Sequence, residues 1–200
     1  IVVFMRPDRV WSACVGDSRA VIGSINSKKT GWDVVALSKD QKPDDPAERR
    51  RIEQSGGYVS PASDMNGPAR VWRGSYGIGS GLAMARSIGD HAVAEVGVIA
   101  EPVVVEHAIS EKDEVLILAS DGVWEFIESD EALAIVWARR DNATAACKAL
   151  IDEAALRWRK AEGFYRDDIT AIVIFLPIFP RLRHVSTPPS PSPQPPPRPP

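Results

Sequence analysis

Aspartates stand at the ends of three apolar runs, and little else in the chain could do chemistry. Asp121 follows Val115-Leu116-Ile117-Leu118-Ala119-Ser120 and precedes Gly122. Asp167 and Asp168 immediately precede Ile169-Thr170-Ala171-Ile172-Val173, and Asp17 follows Val15-Gly16. Carboxylates at strand ends are delivered to fixed points on a sheet edge. Oxygen donors so placed suit hard divalent cations such as Mg²⁺ and Mn²⁺, which need few protein carboxylates because water completes their shell. Each aspartate alone also reads as an ordinary turn or a solvated cap. The spacing leaves both readings open.

Other chemistries drop out. No Gly-x-Ser-x-Gly, P-loop lysine motif or His-Glu-x-x-His occurs. His91, His107 and His184 lie far apart, and His107, at a strand end, reads as a structural or surface residue. The two cysteines, Cys14 and Cys147, have no Cys-x-x-Cys spacing. That excludes a disulfide scaffold and a thiolate zinc site and fits a reducing intracellular compartment, cytoplasmic or nuclear. A net charge of −3 argues against a nucleic-acid partner held by a basic surface. No apolar stretch is long enough to cross a bilayer and nothing near the start reads as a signal peptide, so no membrane partner is expected. With 44% hydrophobic and 26% charged residues, the composition is that of a soluble globular chain, read here as a monomer. The chain opens inside the apolar run Ile1-Val2-Val3-Phe4, which reads as part of a longer protein cut inside a strand.

The elements that must position these residues follow from pattern. Residues 10–15 and 20–25 are short apolar runs joined by Gly16-Asp17-Ser18-Arg19, which predicts a hairpin. Residues 32–37 form a third strand. Residues 46–54 are polar and helical in pattern, started by Asp44-Asp45-Pro46 and stopped by Gly56-Gly57. Residues 60–81 read as a long loop. Strands follow at 103–107 and 114–119, helices at 130–139 and 142–160, and a last strand at 169–176. In the second helix Ala143, Ala146, Cys147, Leu150, Ile151, Ala154 and Trp158 share a face, with Asp141 or Asn142 as cap. Strands apolar on both faces, with amphipathic helices nearby, predict sheets covered by helices. Nine of the seventeen prolines fall in residues 187–200, so residues 177–200 are expected to be a proline-rich disordered tail, adding nothing to the fold from Arg181 onward. Its PxxP spacings, such as Pro188 to Pro191, follow from composition alone.

Six segments then point to one family. Val15-Gly16-Asp17-Ser18-Arg19-Ala20 and Leu37-Ser38-Lys39-Asp40-Gln41-Lys42-Pro43 come first, the latter with Gln41 where His is commoner. Glu48, Arg51, Ile52, Gly56 and Gly57 match an E-x-x-R-I-x-x-x-G-G pattern. Gly81-Leu82-Ala83-Met84-Ala85-Arg86-Ser87-Ile88-Gly89-Asp90, Ala119-Ser120-Asp121-Gly122-Val123-Trp124 and Arg166-Asp167-Asp168-Ile169-Thr170 complete the set. In this order the chain resembles the metal-dependent PPM-type (type 2C) serine/threonine protein phosphatases, specifically the C-terminal part of their catalytic domain, over residues 1–176.

The resemblance implies an α+β fold, two packed antiparallel β-sheets flanked by helices in αββα layers, with the N-terminal portion missing. It implies hydrolysis of phosphoserine and phosphothreonine in phosphoprotein substrates by metal-activated water, with two core Mg²⁺ or Mn²⁺ ions and in some members a third. By position, Asp121 and Asp167 fall on core metal-binding aspartates, and Asp17 on the aspartate of the third, weaker site. Glu125 stands where that site often has Asp, Asp168 where Asn is usual, and Asp90 reads as structural. The family's phosphate-binding Arg, its Glu-Asp pair and its Asp-Gly-His-Gly segment have no counterpart in these residues. Residues 1–200 alone are therefore expected to lack turnover. A competing reading is a catalytically dead regulatory relative of the same fold. Residues 60–80 fall in the family's variable flap, where Arg70, Trp72 and Arg73 read as a solvated loop.

Overall fold

The computed structural model describes residues 1–28, 30–63, 67–74 and 81–176. The expected tail, residues 177–200, and part of the flap, residues 75–80, lie outside the described residues.

The run Val115–Ala119 is apolar at consecutive positions because it is buried on both faces. It is the larger part of β8 (Asp113–Ala119), where Val115, Leu116 and Ile117 have no exposed surface. It sits at the centre of a four-stranded antiparallel sheet ordered β4-β3-β8-β9, with β3 at Arg19–Ile25, β4 at Trp32–Ala36 and β9 at Ala171–Phe175. A second antiparallel sheet is ordered β1-β2-β7, from Val2–Met5, Arg9–Cys14 and Val103–Ala108. The two sheets face each other. Val10, from one, packs with Ala20, Ile22, Leu116 and Leu118, from the other, in a common core joined by Val3, Met5 and Val105.

On its far side the β3-β8 sheet carries two helices, α4 (Ser129–Trp137) and α5 (Ala143–Glu162). Leu133, Val136, Ala146, Leu150 and Ala154 close that second core over Val21, Val115 and Ile117. Each fully buried Leu or Val there contributes about 1.5–3 kcal/mol. Gly23 is required by this contact, because a Cβ on it would lie 2.5 Å from the Leu133 side chain. Asn142 caps α5, its side chain accepting the Ala145 N–H at 3.0 Å. On the outward face of the β1-β2-β7 sheet Val2, Phe4 and Val104 are exposed.

Helix α1 (Pro46–Gln54) starts as its sequence dictates, with Asp45 accepting from the Ala47 N–H and Pro46 in the first turn, and it ends at Ser55 before Gly56. Its buried Glu48 accepts both Nε (3.1 Å) and Nη2 (2.6 Å) of Arg86, and a further hydrogen bond from Arg51. Arg51 in turn donates to the carbonyls of Ala85 and Gly97, and Arg86 to that of Glu101. One carboxylate thus binds α1 to residues 85–86 and, through its arginines, to residues 97–101.

Two expectations are corrected. Residues 10–15 and 20–25 are strands, at β2 and β3, but they do not pair as a hairpin: β2 pairs with β1 and β7, and β3 with β4 and β8. Gly16-Asp17-Ser18 instead carries the chain from one sheet to the other. The 60–81 region is also not all loop, since β6 (Arg70–Trp72) pairs with β5 (Tyr58–Ser60). There Arg70 donates to the Gly81 carbonyl and Trp72 Nε1 to Ser60 Oγ, so these side chains build the flap base. The exposed Arg73 pairs with Glu95. Two short helices, α2 (His91–Ala94) and α3 (Asp121–Trp124), complete the described elements.

Candidate metal centre

Asp121 leaves the end of β8 and opens α3, whose placement is over-determined. Trp124 Nε1 donates to the Ala119 carbonyl at 2.9 Å, and Trp158 Nε1, from α5, donates to the Gly122 carbonyl at 2.7 Å. The guanidinium of Arg19 lies 5.3 Å from the centre of the Trp124 ring while binding Asp40 through two nitrogens. The arginine of the Gly-Asp-Ser-Arg segment therefore braces the helix that begins with Asp121.

Asp167 is brought alongside by Ser120. That hydroxyl donates to the Asp168 carbonyl at 2.9 Å and accepts the Thr170 N–H at 3.0 Å, while the Ser120 N–H donates to the Thr170 carbonyl. Asp167 itself accepts the Asp168 N–H at 2.7 Å. The strand end and the turn lie so close that a Cβ on Gly122 would come within 2.4 Å of the Asp168 carbonyl oxygen.

Asp17 reaches the same neighbourhood from the crossing between the sheets, with 8% of its surface exposed. Its loop is held by Gln41. The Gln41 side chain accepts the Gly16 N–H at 2.7 Å and donates to the Cys14 carbonyl at 3.1 Å, and its backbone N–H donates to the Gly16 carbonyl. Gly16 is needed twice here, for its φ of +107° and for the Met84 sulfur 3.1 Å from where a Cβ would stand. Lys42, next in sequence, donates to Asp17 Oδ2 at 2.6 Å.

Electrostatics tie the three carboxylates together. Burial pushes the Asp121 carboxyl above its ordinary pKa, and the charges of Asp17 and Asp167 push it further, against the pull of Lys42 and the Gly122 N–H. Burial works against the Lys42 ammonium, but its hydrogen bond to Asp17 and the charges of Asp17, Glu125 and Asp40 outweigh it, leaving its pKa raised. Like charges held close and partly buried call for a counter-charge, and Lys42 supplies one at Asp17. Among the described residues, however, no three His, Cys, Asp or Glu side chains are gathered into a set that could hold a metal ion.

The Protein phosphatase 2C family model matches residues 1–161. The chain belongs to the protein phosphatase 2C family. It is 36% identical over 177 residues to Probable protein phosphatase 2C 72 of Arabidopsis thaliana, covering 88% of this chain and 53% of that protein. It is 41% identical over 172 residues to Probable protein phosphatase 2C 48 of Oryza sativa subsp. japonica, covering 84% and 48%. The fold matches the crystal structure of a serine-threonine phosphatase 2C from Toxoplasma gondii with a TM-score of 0.76 at 25% identity, covering 86% of this chain and 56% of that one. The chain thus spans about half the length of the curated relatives it matches.

Within this PP2C fold, Asp17, Asp121 and Asp167 share one electrostatic neighbourhood. Glu125 lies just outside it, exposed and acting on Lys42. Asp168 is exposed and takes part through its backbone, and Asp90 sits in the left-handed region (φ 46°) accepting from Ser87. Sequence reasoning missed Gln41 and Lys42 as neighbours of the site. Their only signal was position in the Leu37–Pro43 segment, since no periodicity shows which loop a side chain will clasp.

Gly122→Ala gives a direct check on how Asp167 is placed. The added methyl meets backbone on a stiff turn, so the 167–168 segment must move. Overpacking of this kind costs about 1–3 kcal/mol. A displacement of about 1 Å at a catalytic centre can cost on the order of 100-fold in rate. Phosphate release by the full-length protein, measured together with its melting temperature, should therefore show a far larger loss of turnover than of stability.

Proposed function

We propose that these residues form part of a metal-dependent protein serine/threonine phosphatase that removes phosphate from phosphoserine and phosphothreonine in protein substrates. The observation that carries the reading is that the charges of Asp17 and Asp167 both act on the half-buried Asp121 carboxyl, the three aspartates being delivered by different parts of the β3-β8-β9 sheet. The donors are all carboxylate oxygens, the chemistry Mg²⁺ or Mn²⁺ takes, and they fit those ions as part of a ligand set. When bound, such ions supply an activated water and offset charge on the phosphoryl oxygens.

The chain's own residues do the positioning. Asp121 and Asp167 hold the cation side of the site, their separation set by Ser120 and by the missing Cβ of Gly122. Asp17 adds a third carboxylate for a weaker, third ion. Arg19, Trp124 and Trp158 keep Asp121 from swinging away. No helix among the described residues is long and apolar enough to cross a membrane. A monomer acting in the cytoplasm or nucleus on phosphoproteins is the reading that goes with this chemistry.

The test is phosphate release from a phosphothreonine peptide by the full-length protein, with Mn²⁺ and then with EDTA. Turnover that needs Mn²⁺ supports the proposal. A folded full-length protein that binds Mn²⁺ yet releases no phosphate from any phosphopeptide would favour the competing reading, a non-catalytic relative.

A further inference from the structure

Asp17 already has a cation. The Lys42 ammonium sits 2.6 Å from its Oδ2, and the two segments that carry them are laced together one residue earlier. Gln41 N–H donates to the Gly16 carbonyl, and the Gly16 N–H donates to the Gln41 side chain, so residues 16–17 and 41–42 run side by side. Gln41 is 3% exposed and its carbonyl also accepts the Ala85 N–H, which fixes this pairing into the body of the fold. The Asp17 side chain is 10% exposed, but that of Lys42 is 36% exposed. One partner is held, and the other can leave.

We propose that the Lys42 ammonium is a built-in competitor for the divalent cation at Asp17, making occupation of that third site conditional on its withdrawal. This rests on the metal-dependent reading above and names how one of its sites is regulated. A carboxylate oxygen that accepts an ammonium at hydrogen-bonding distance is not free to ligate an ion. An ion arriving there also meets the like charge of Lys42, which acts on Asp121 as well as Asp17. Lysine suits the role: its charge is a compact point on a flexible four-carbon stem, so it can swing into water without moving the backbone. The site near Asp121 and Asp167 has no such occupant among the described hydrogen bonds, which separates one conditional ion from the others.

The experiment is Mn²⁺ calorimetry and thermal melting on the full-length protein as wild type, Lys42→Met, Lys42→Arg and the double variant Lys42→Met/Asp17→Asn. Lys42→Met removes the competitor and leaves Asp17 an uncompensated, nearly buried carboxylate. It should bind the Asp17-dependent Mn²⁺ at least about tenfold more tightly than wild type. Its melting temperature should fall without metal and recover more on adding Mn²⁺. Lys42→Arg should behave as wild type, and the double variant should lose the tighter binding while keeping the Asp121-dependent event. Lys42→Gln, which keeps a donor for Asp17 without charge, should show the same gain if Lys42→Met does not fold. Unchanged or weaker Mn²⁺ binding in both neutral variants would overturn the proposal while leaving the phosphatase reading intact. Absence of Mn²⁺ binding in the folded wild type and in every variant would overturn both.

Discussion

Asp121→Asn in the full-length protein should reduce phosphatase turnover by on the order of 1,000-fold, because a metal-assisted step loses several kcal/mol of transition-state stabilisation with its ligand. The same substitution should raise the melting temperature in the absence of divalent metal. Burial and the charges of Asp17 and Asp167 raise the Asp121 pKa in the folded protein. A carboxyl raised on folding contributes stability that is fully present below its unfolded pKa and lost as pH rises through the folded value. At neutral pH the ionised Asp121 is therefore a net cost, which the isosteric amide removes. The gain should vanish under acid, where wild-type Asp121 is protonated, and should reverse when saturating Mn²⁺ stabilises the wild type alone. Turnover close to wild type in a folded Asp121→Asn protein would sink the assignment.

Glu48→Ala should be among the most damaging single changes to stability. The carboxylate is 7% exposed and is the common acceptor of Arg86 and Arg51. Burial opposes its charge, but those two guanidiniums outweigh it and hold the carboxyl below its ordinary pKa. Truncation leaves two partly buried arginines without their acceptor, a class of change that costs about 3–5 kcal/mol and lowers Tm on the order of 10 °C. Glu48→Gln should recover part of the hydrogen bonding but not the charge, and fall between. Chemical denaturation of the three proteins would measure this, and a loss under about 1 kcal/mol for the alanine variant would show that the hub is incidental.

What was legible in the sequence was whatever one element encodes by itself. Val115 to Ala119 announced a strand buried on both faces, and Asn142 announced the start of α5. Asp121 and Asp167 were visible because strand ends are visible. Pairing was less so. Gly16-Asp17-Ser18 has the composition of a hairpin turn, yet it crosses between sheets, and only the distant partners of β2 and β3 decide that. At three residues each, β5 and β6 are too short for alternation to declare itself, and they are defined by their pairing with each other and by the Trp72 to Ser60 hydrogen bond. Ile172, in an apolar run expected to be buried, is 53% exposed because β9 is an edge strand. Gln41, Lys42 and Glu48 act through contacts at least 25, 25 and 38 residues away respectively in their decisive bonds, a distance no local pattern spans.

Calorimetric titration of Mn²⁺ into the metal-stripped full-length protein reports whether Asp121 and Asp167 hold a divalent cation. Binding should be saturable in the wild type, and Asp121→Asn and Asp167→Asn should each weaken it by about 10-fold or more, with both variants folded. Equal Mn²⁺ affinity and stoichiometry in the wild type and both variants would contradict it.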